Sequence, residues 1–194
     1  MSAPGGHEFD HLVVARGPAV RIRRKVRGDA EDDYRWRTNP ENARYDGEAV
    51  LQQTFDEFLQ QVESELAFGA PEMEFFAITD EVGRHIGNVM YYHADSYLGE
   101  AEFGLTLGED ADRDRGIGTQ AAILFMRFVW QNYPFRRVYL HTLAWNERAI
   151  ACFRRAGFDE ATRLMRNGEP FVRMEARREW WLLWDGEGRF AGHG

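Results

Sequence analysis

Residues 101–130 limit the fold more than any other stretch. The segment opens with strand-like sequence, passes through the loop Arg113-Asp114-Arg115-Gly116-Ile117-Gly118-Thr119, and enters an apolar stretch at 119–130 with no Gly or Pro. That stretch is long enough for a buried helix. After Pro134, residues 136–143 alternate, with Val138, Leu140 and Thr142 on one face and Tyr139, His141 and Leu143 on the other. A strand, a helix and a second strand in one sheet run parallel, with a right-handed crossover. The loop then sits at a helix N-terminus, where unpaired N–H groups and the helix dipole favour an anion. Gly116 and Gly118 allow close backbone approach and positive φ, and Arg113 and Arg115 offer charge-assisted bonds to phosphate. A tight solvated connection satisfies the same spacing, so the loop alone does not decide.

The rest of the chain reads around this unit. Residues 19–25 alternate Val20 and Ile22 against Arg21 and Arg23, as a strand does. Residues 29–38 form a short helix capped by Asp29 and ended by Asn39-Pro40. Residues 49–68 carry Leu51, Phe55, Phe58, Leu59, Val62 and Leu66 at helical spacing, until Gly69 and Pro71 stop them. Residues 74–79 and 85–93 form a hairpin around 80–84, and the strand at 100–107 extends it into a meander. Residues 146–156 make a helix ended by Gly157, and 158–166 and 169–175 flank the hairpin signal Asn167-Gly168. Residues 1–18 read as a loose segment with a short ordered piece at 12–14, residues 19–176 as a single domain, and 177–194 as a Trp-rich tail. Exposed indoles are costly, so Trp180, Trp181 and Trp184 should dock on the body or on a second subunit, which makes a homodimer one expectation. The element order gives an α+β fold. Its centre is a mixed, mostly antiparallel sheet of about six to seven strands, flanked by helices on both faces.

Several classes drop out. Net charge is 24 − 32 = −8, which argues against a nucleic-acid surface. Cys152 is the sole cysteine, so an internal disulfide and a cysteine zinc site are both excluded. His85 and His93 lie in or beside the first hairpin without metal-ligand spacing, and no metal is expected. No apolar run approaches 18 residues and the start lacks a signal-peptide core, so a cytoplasmic chain with no membrane contact is expected.

At this point the residues resemble the GNAT acetyltransferase superfamily. Arg113-x-x-Gly116-x-Gly118 looks like that family's pyrophosphate signature. Asn146-Glu147-Arg148-Ala149-Ile150, then Phe153 and Gly157-Phe158, resembles its second motif, and Gly104-Leu105-Thr106-Leu107-Gly108 resembles the strand before the loop. Arg21-Ile22-Arg23, Asp29 and Trp36-Arg37-Thr38-Asn39-Pro40 resemble the branch that acetylates ribosomal-protein N-terminal alanines. Coverage is about residues 20–175.

The resemblance implies acetyl-CoA as co-substrate and a primary amine, on a small molecule or a peptide, as acceptor. It implies that the backbone of Leu105, Thr106 and Leu107 binds the pantetheine arm, with the oxyanion held at Leu105. Residues 113–119, that is Arg113, Arg115, Gly116, Ile117, Gly118 and Thr119, hold the pyrophosphate. Asn146, Ala149 and Phe153 line the cofactor. Phe153 stands where the family commonly has the tyrosine that protonates the departing thiolate, and it cannot do so. The acceptor must be neutral to attack. At pH 7 an α-amine is about a tenth neutral and an unperturbed lysine well under a thousandth. Weak bases therefore suit an N-terminal amine or an amino sugar, and the candidates are Glu102 and His141. Glu102 points into the acceptor cleft if Phe103 faces the core; a solvent-facing carboxylate is the plain alternative. Trp36 and Asn39 are candidates for the acceptor side, with core packing the alternative for Trp36. A non-catalytic acyl-CoA sensor and a dimerising scaffold are the rival functions.

Overall fold

Alternation builds the sheet. Val20 and Ile22, Phe76 and Ile78, Val89 and Tyr91, Ala101 and Phe103, and Val138 and Leu140 fall on one face and are all buried in one core. The computed structural model describes residues 9–109 and 116–192. Its eight strands are β1 (Val13–Arg16), β2 (Val20–Arg24), β3 (Glu74–Asp80), β4 (His85–Asp95), β5 (Glu100–Leu107), β6 (Arg137–Leu143), β7 (Asp159–Arg166) and β8 (Glu169–Arg177). They form one sheet in the order β1-β2-β3-β4-β5-β6-β8-β7. The pair β5–β6 is parallel and the others are antiparallel. The count exceeds the expected six to seven because the supposedly loose start supplies β1, paired to β2.

Among the described residues six α-helices cover the two faces: α1 (Ala30–Arg37), α2 (Pro40–Asp46), α3 (Phe55–Phe68), α4 (Ile117–Asn132), α5 (Glu147–Arg155) and α6 (Arg178–Gly186). The apolar length of α4 lies on the main core, with Phe125 against Phe76 and Phe103. On the other face α1 and α3 share a smaller core of Ala30, Phe58 and Val62.

The early helices differ from expectation for local reasons. Asp29 does not cap α1; its carboxylate is taken by the Arg23 guanidinium at 2.6 and 2.8 Å. Asn39-Pro40 ends one helix and begins another, since Asn39 Oδ1 accepts the Glu41 N–H at 2.8 Å and proline suits a first helical position. Residues 49–54 are not helical. The start of α3 is set by a capping box in which Glu57 accepts the Thr54 N–H at 2.8 Å and Thr54 Oγ1 accepts from Glu57. Of the three tail indoles, Trp181 docks fully. Its N–H donates to the Ala156 carbonyl at 2.8 Å and its ring stacks on Phe190. Among the described residues no helix is long and apolar enough to cross a membrane.

Candidate active site

The parallel ladder stops early. Its last pair is Glu102↔Tyr139, yet β5 continues to Leu107 and β6 to Leu143. Along this length β6 stays paired to β8 and β5 to β4, so the gap opens between β5 and β6 alone. Among the described residues the β5 backbone from Phe103 to Thr106 has no β6 partner, and a buried unpaired N–H invites a ligand. A cleft of about 960 Å³ occupies this region.

At one end the cleft is lined by Leu105, Thr106 and Leu107 of β5 and by Gly116, Gly118 and Thr119 where α4 begins. Gly116 is left-handed, with φ 75°, and the first α-helical bond runs from Gln120 N–H to its carbonyl. The N–H groups just before Gln120 therefore have no partner within the helix. Among the described residues no atom lies within 4 Å of where a Gly116 Cβ would stand. Asn146, Ala149 and Phe153 of α5 also line this end. Ile117 does not; it is buried in the core. Arg113 and Arg115 lie outside the described residues. Two cations the sequence reading passed over, Arg148 and Arg155, line the same end from α5. Their signal is the helix's basic rim, ordinarily read as a solvated face.

The first turn of α4 is tied to the middle of α5, and α5 is capped at its own start. Thr119 Oγ1 donates to Cys152 Sγ at 3.4 Å, and Asn146 Oδ1 caps α5 by accepting the Ala149 N–H at 3.1 Å. Burial pushes the Cys152 thiol up despite the Thr119 hydrogen bond and nearby arginines, so it stays protonated. Phe153 is 7 % exposed, edge-on to Phe103 with ring centres 5.8 Å apart. It is a core ring whose rim reaches the cleft.

His141 lines the cleft at the other end, where Tyr92, Met90 and Phe75 form the sheet floor and Leu66 of α3 a wall. Register brings Glu102 behind it: His141 Nδ1 stands 2.7 Å from Glu102 Oε1. Glu102 is 3 % exposed and does not itself line the cleft, so it neither faces solvent nor meets an acceptor directly. Burial drives its carboxyl up, but hydrogen bonds from His141, His93 and Tyr92 outweigh that and hold it below the ordinary range. Burial and the Glu102 charge push the Tyr92 hydroxyl up in turn.

Trp36 touches the cleft but is buried, donating to Glu109 Oε1 at 3.0 Å. It presses on the end of β5 so closely that a Cβ on Gly108 would lie 1.8 Å from its ring. Asn39 is a helix cap and does not line the cleft. Among the described residues no group of His, Cys, Asp and Glu is arranged to hold a metal ion.

Residues 20–159 match the family model for the acetyltransferase (GNAT) domain. Solved structures share the fold at low identity. A spermidine N-acetyltransferase from Vibrio cholerae, in complex with CoA and spermine, has a TM-score of 0.76 at 20% identity, covering 84% of this chain and 98% of that one. The aminoglycoside acetyltransferase AAC(6')-Ib with coenzyme A gives 0.71 at 19%, covering 84% and 98%. The same enzyme with paromomycin and acetyl-CoA gives 0.70 at 18%, covering 84% and 95%. No curated protein sequence matches.

Proposed function

The chain belongs to the GNAT acetyltransferase family, and from that premise we propose that it moves an acetyl group from acetyl-CoA to a primary amine by direct attack. The observation that carries the proposal is the His141–Glu102 pair, 2.7 Å apart, at the edge of the gap where β5 parts from β6. Acetyl-CoA supplies the activated thioester. The residues present suit it: a helix N-terminus at Gly116 for the pyrophosphate, Arg148 and Arg155 for charge, and the backbone of Leu105 to Leu107 for the extended arm. His141 Nε2 takes the proton an ammonium must lose before it attacks, and Glu102 steadies the imidazolium that results. A β5 N–H at Leu105 meets the charge that develops on the carbonyl oxygen, an effect often worth a few kcal/mol.

The acceptor we propose is an amine on an apolar arm, with a protein N-terminus the leading candidate. Phe75, Met90 and Leu66 give that arm a surface, and exposed Glu48 on the cleft rim attracts a cation. Spermidine and the aminoglycosides, substrates named for the structural neighbours, are the polar comparators. One observation favours a second reading, acyl-CoA binding without turnover: the ring of Phe153 carries no acid where one is usual.

CoA release is measured against peptides, polyamines, aminoglycosides and amino acids, with acetyl-CoA affinity by calorimetry. Peptide N-termini with apolar first residues should turn over best. Tight binding with no release in any lane supports the second reading, and no binding at all sinks both. Gly116→Glu should weaken acetyl-CoA binding at least about tenfold, or about 1.4 kcal/mol, with the melting temperature as the check on folding.

A further inference from the structure

Glu102 has a second oxygen, and a residue outside the cleft is folded to reach it. The β4–β5 ladder is regular down to Tyr92↔Glu102 and resumes at Asp95↔Glu100 after a bulge. In a regular strand His93 would face away from Tyr92. Instead His93 has φ 49°, in the left-handed region. Asn167 is the other described non-glycine residue with positive φ, and it sits in an Asn-Gly turn where that is ordinary. For a histidine within a sheet the conformation is strained, and such strain collects at functional positions.

The bulge turns neighbours in sequence toward one carboxylate. The Tyr92 hydroxyl hydrogen-bonds Glu102, and His93 Nδ1 stands 3.1 Å from Glu102 Oε2. The His93 side chain is 71 % exposed, so packing does not explain its place. The other oxygen, Oε1, faces His141.

We propose that His93 is a positioning residue: its Nδ1–H fixes the Glu102 carboxylate so that Oε1 holds His141 with Nδ1 protonated and Nε2 free to accept a proton. The proposal rests on the reading of His141 as the base. Around Glu102 stand Tyr92 and His93 from β4 and Tyr139 and His141 from β6. Beyond them, Arg166 of β7 lies 3.4 Å from His141 Nδ1, Arg173 of β8 covers the Tyr139 ring, and Glu48 acts on Tyr92 from the α2–α3 connection. Arg166, Arg173 and Glu48 are not among the hydrogen-bond partners of Glu102, which are His141 at Oε1, His93 at Oε2 and the Tyr92 hydroxyl.

Two variants separate the donor from the backbone. Glycine accepts a left-handed residue without a ring, and asparagine accepts it while returning an N–H donor. His93→Gly should lower kcat about tenfold, a fraction of what a positioned base supplies, with KM for acetyl-CoA within about twofold. With the carboxylate no longer fixed, the Nδ1-protonated form of the His141 ring should lose its dominance, which nitrogen-15 NMR reads from the two ring nitrogens. That signature needs no acceptor, so it tests the proposal even if every amine fails. His93→Asn should restore most of both. A His141 ring spectrum unchanged in His93→Gly overturns the proposal. So does His93→Asn behaving like His93→Gly, or a kcat loss that only tracks a fallen melting temperature.

Discussion

Burial favours a neutral carboxyl, but three donors keep Glu102 charged, and the proposed base His141 depends on that charge. Replacing it with the isosteric amide keeps an acceptor oxygen and removes the charge. Glu102→Gln should therefore lower kcat about 10²-fold or more, within the range a positioned base supplies, while acetyl-CoA affinity by calorimetry stays unchanged. An unaltered kcat would dismiss the pair from the chemistry. Neither Tyr92 nor Cys152 suits the role of the acid: Tyr92 already donates to Glu102 and its hydroxyl is pushed up, and Cys152 is held protonated in burial. An ordinary thiol with a pKa of about 8.5 can leave as its anion, which makes the vacancy at Phe153 tolerable. Strand alternation made Glu102 legible as a candidate, and a titratable ring on the opposite central strand did so for His141. Their meeting was not legible, because it depends on the register of a parallel ladder between distant segments. His93 was hidden more deeply, since a bulge reverses the very alternation by which a strand residue is assigned a face.

At the scale of elements, the same local signals sometimes served two masters. Asn39-Pro40 is a stop signal and a start signal together, so α2 was missed, while Thr54 and Glu57 moved the start of α3 past Leu51. The tail shows how unequal three similar residues become once packed. Trp181 is fully buried with its N–H bonded, Trp184 lies under the Arg189 guanidinium, and Trp180 is 51 % exposed. The spacing of indoles in a tail does not reveal which one meets a receptor; the receptor here is Phe190 and the carbonyl of Ala156 at the end of α5. Trp181→Ala should cost about 3–5 kcal/mol in denaturant unfolding, as large-to-small changes in a core do. Trp180→Ala should stay within about 0.5 kcal/mol, as a surface change does. Equal effects would mean that α6 is held by its exposed side, as an interface would hold it.

Across the whole molecule, the face of the sheet under α1 is secured by charges rather than by apolar bulk. Arg23 and Asp29 pair at 2.6 Å with side chains 5 % and 4 % exposed, Lys25 pairs with Asp33, and His85 lies among them. His85 Nε2 reaches the Gly87 carbonyl at 2.9 Å, while Nδ1 stands 3.5 Å from Asp29 and 3.4 Å from Asp32 and makes no hydrogen bond among the described residues. Burial and the Lys25 charge hold the His85 imidazole below its ordinary pKa, against the pull of Asp29 and Asp33. For Asp29, burial raises the carboxyl, but the Arg23 hydrogen bond and nearby charges bring it below the ordinary value. The two groups act on stability in different pH windows. Below about pH 6.5 an unfolded chain protonates His85 while the folded protein does not, so stability falls from there until the lower folded pKa is passed. Below about pH 4 the unfolded chain takes protons that folded Asp29 and Glu102 still refuse, and stability falls again. Urea unfolding from pH 8 to pH 3 should show both declines, each uncompensated proton contributing at most about 1.4 kcal/mol per pH unit. His85→Gln keeps an N–H donor without a titrating ring, so it should flatten the upper decline and leave the lower one. A wild-type curve with no slope between pH 6.5 and pH 5, or a variant curve that keeps it, would mean that His85 is not the group whose neutrality the buried cluster maintains.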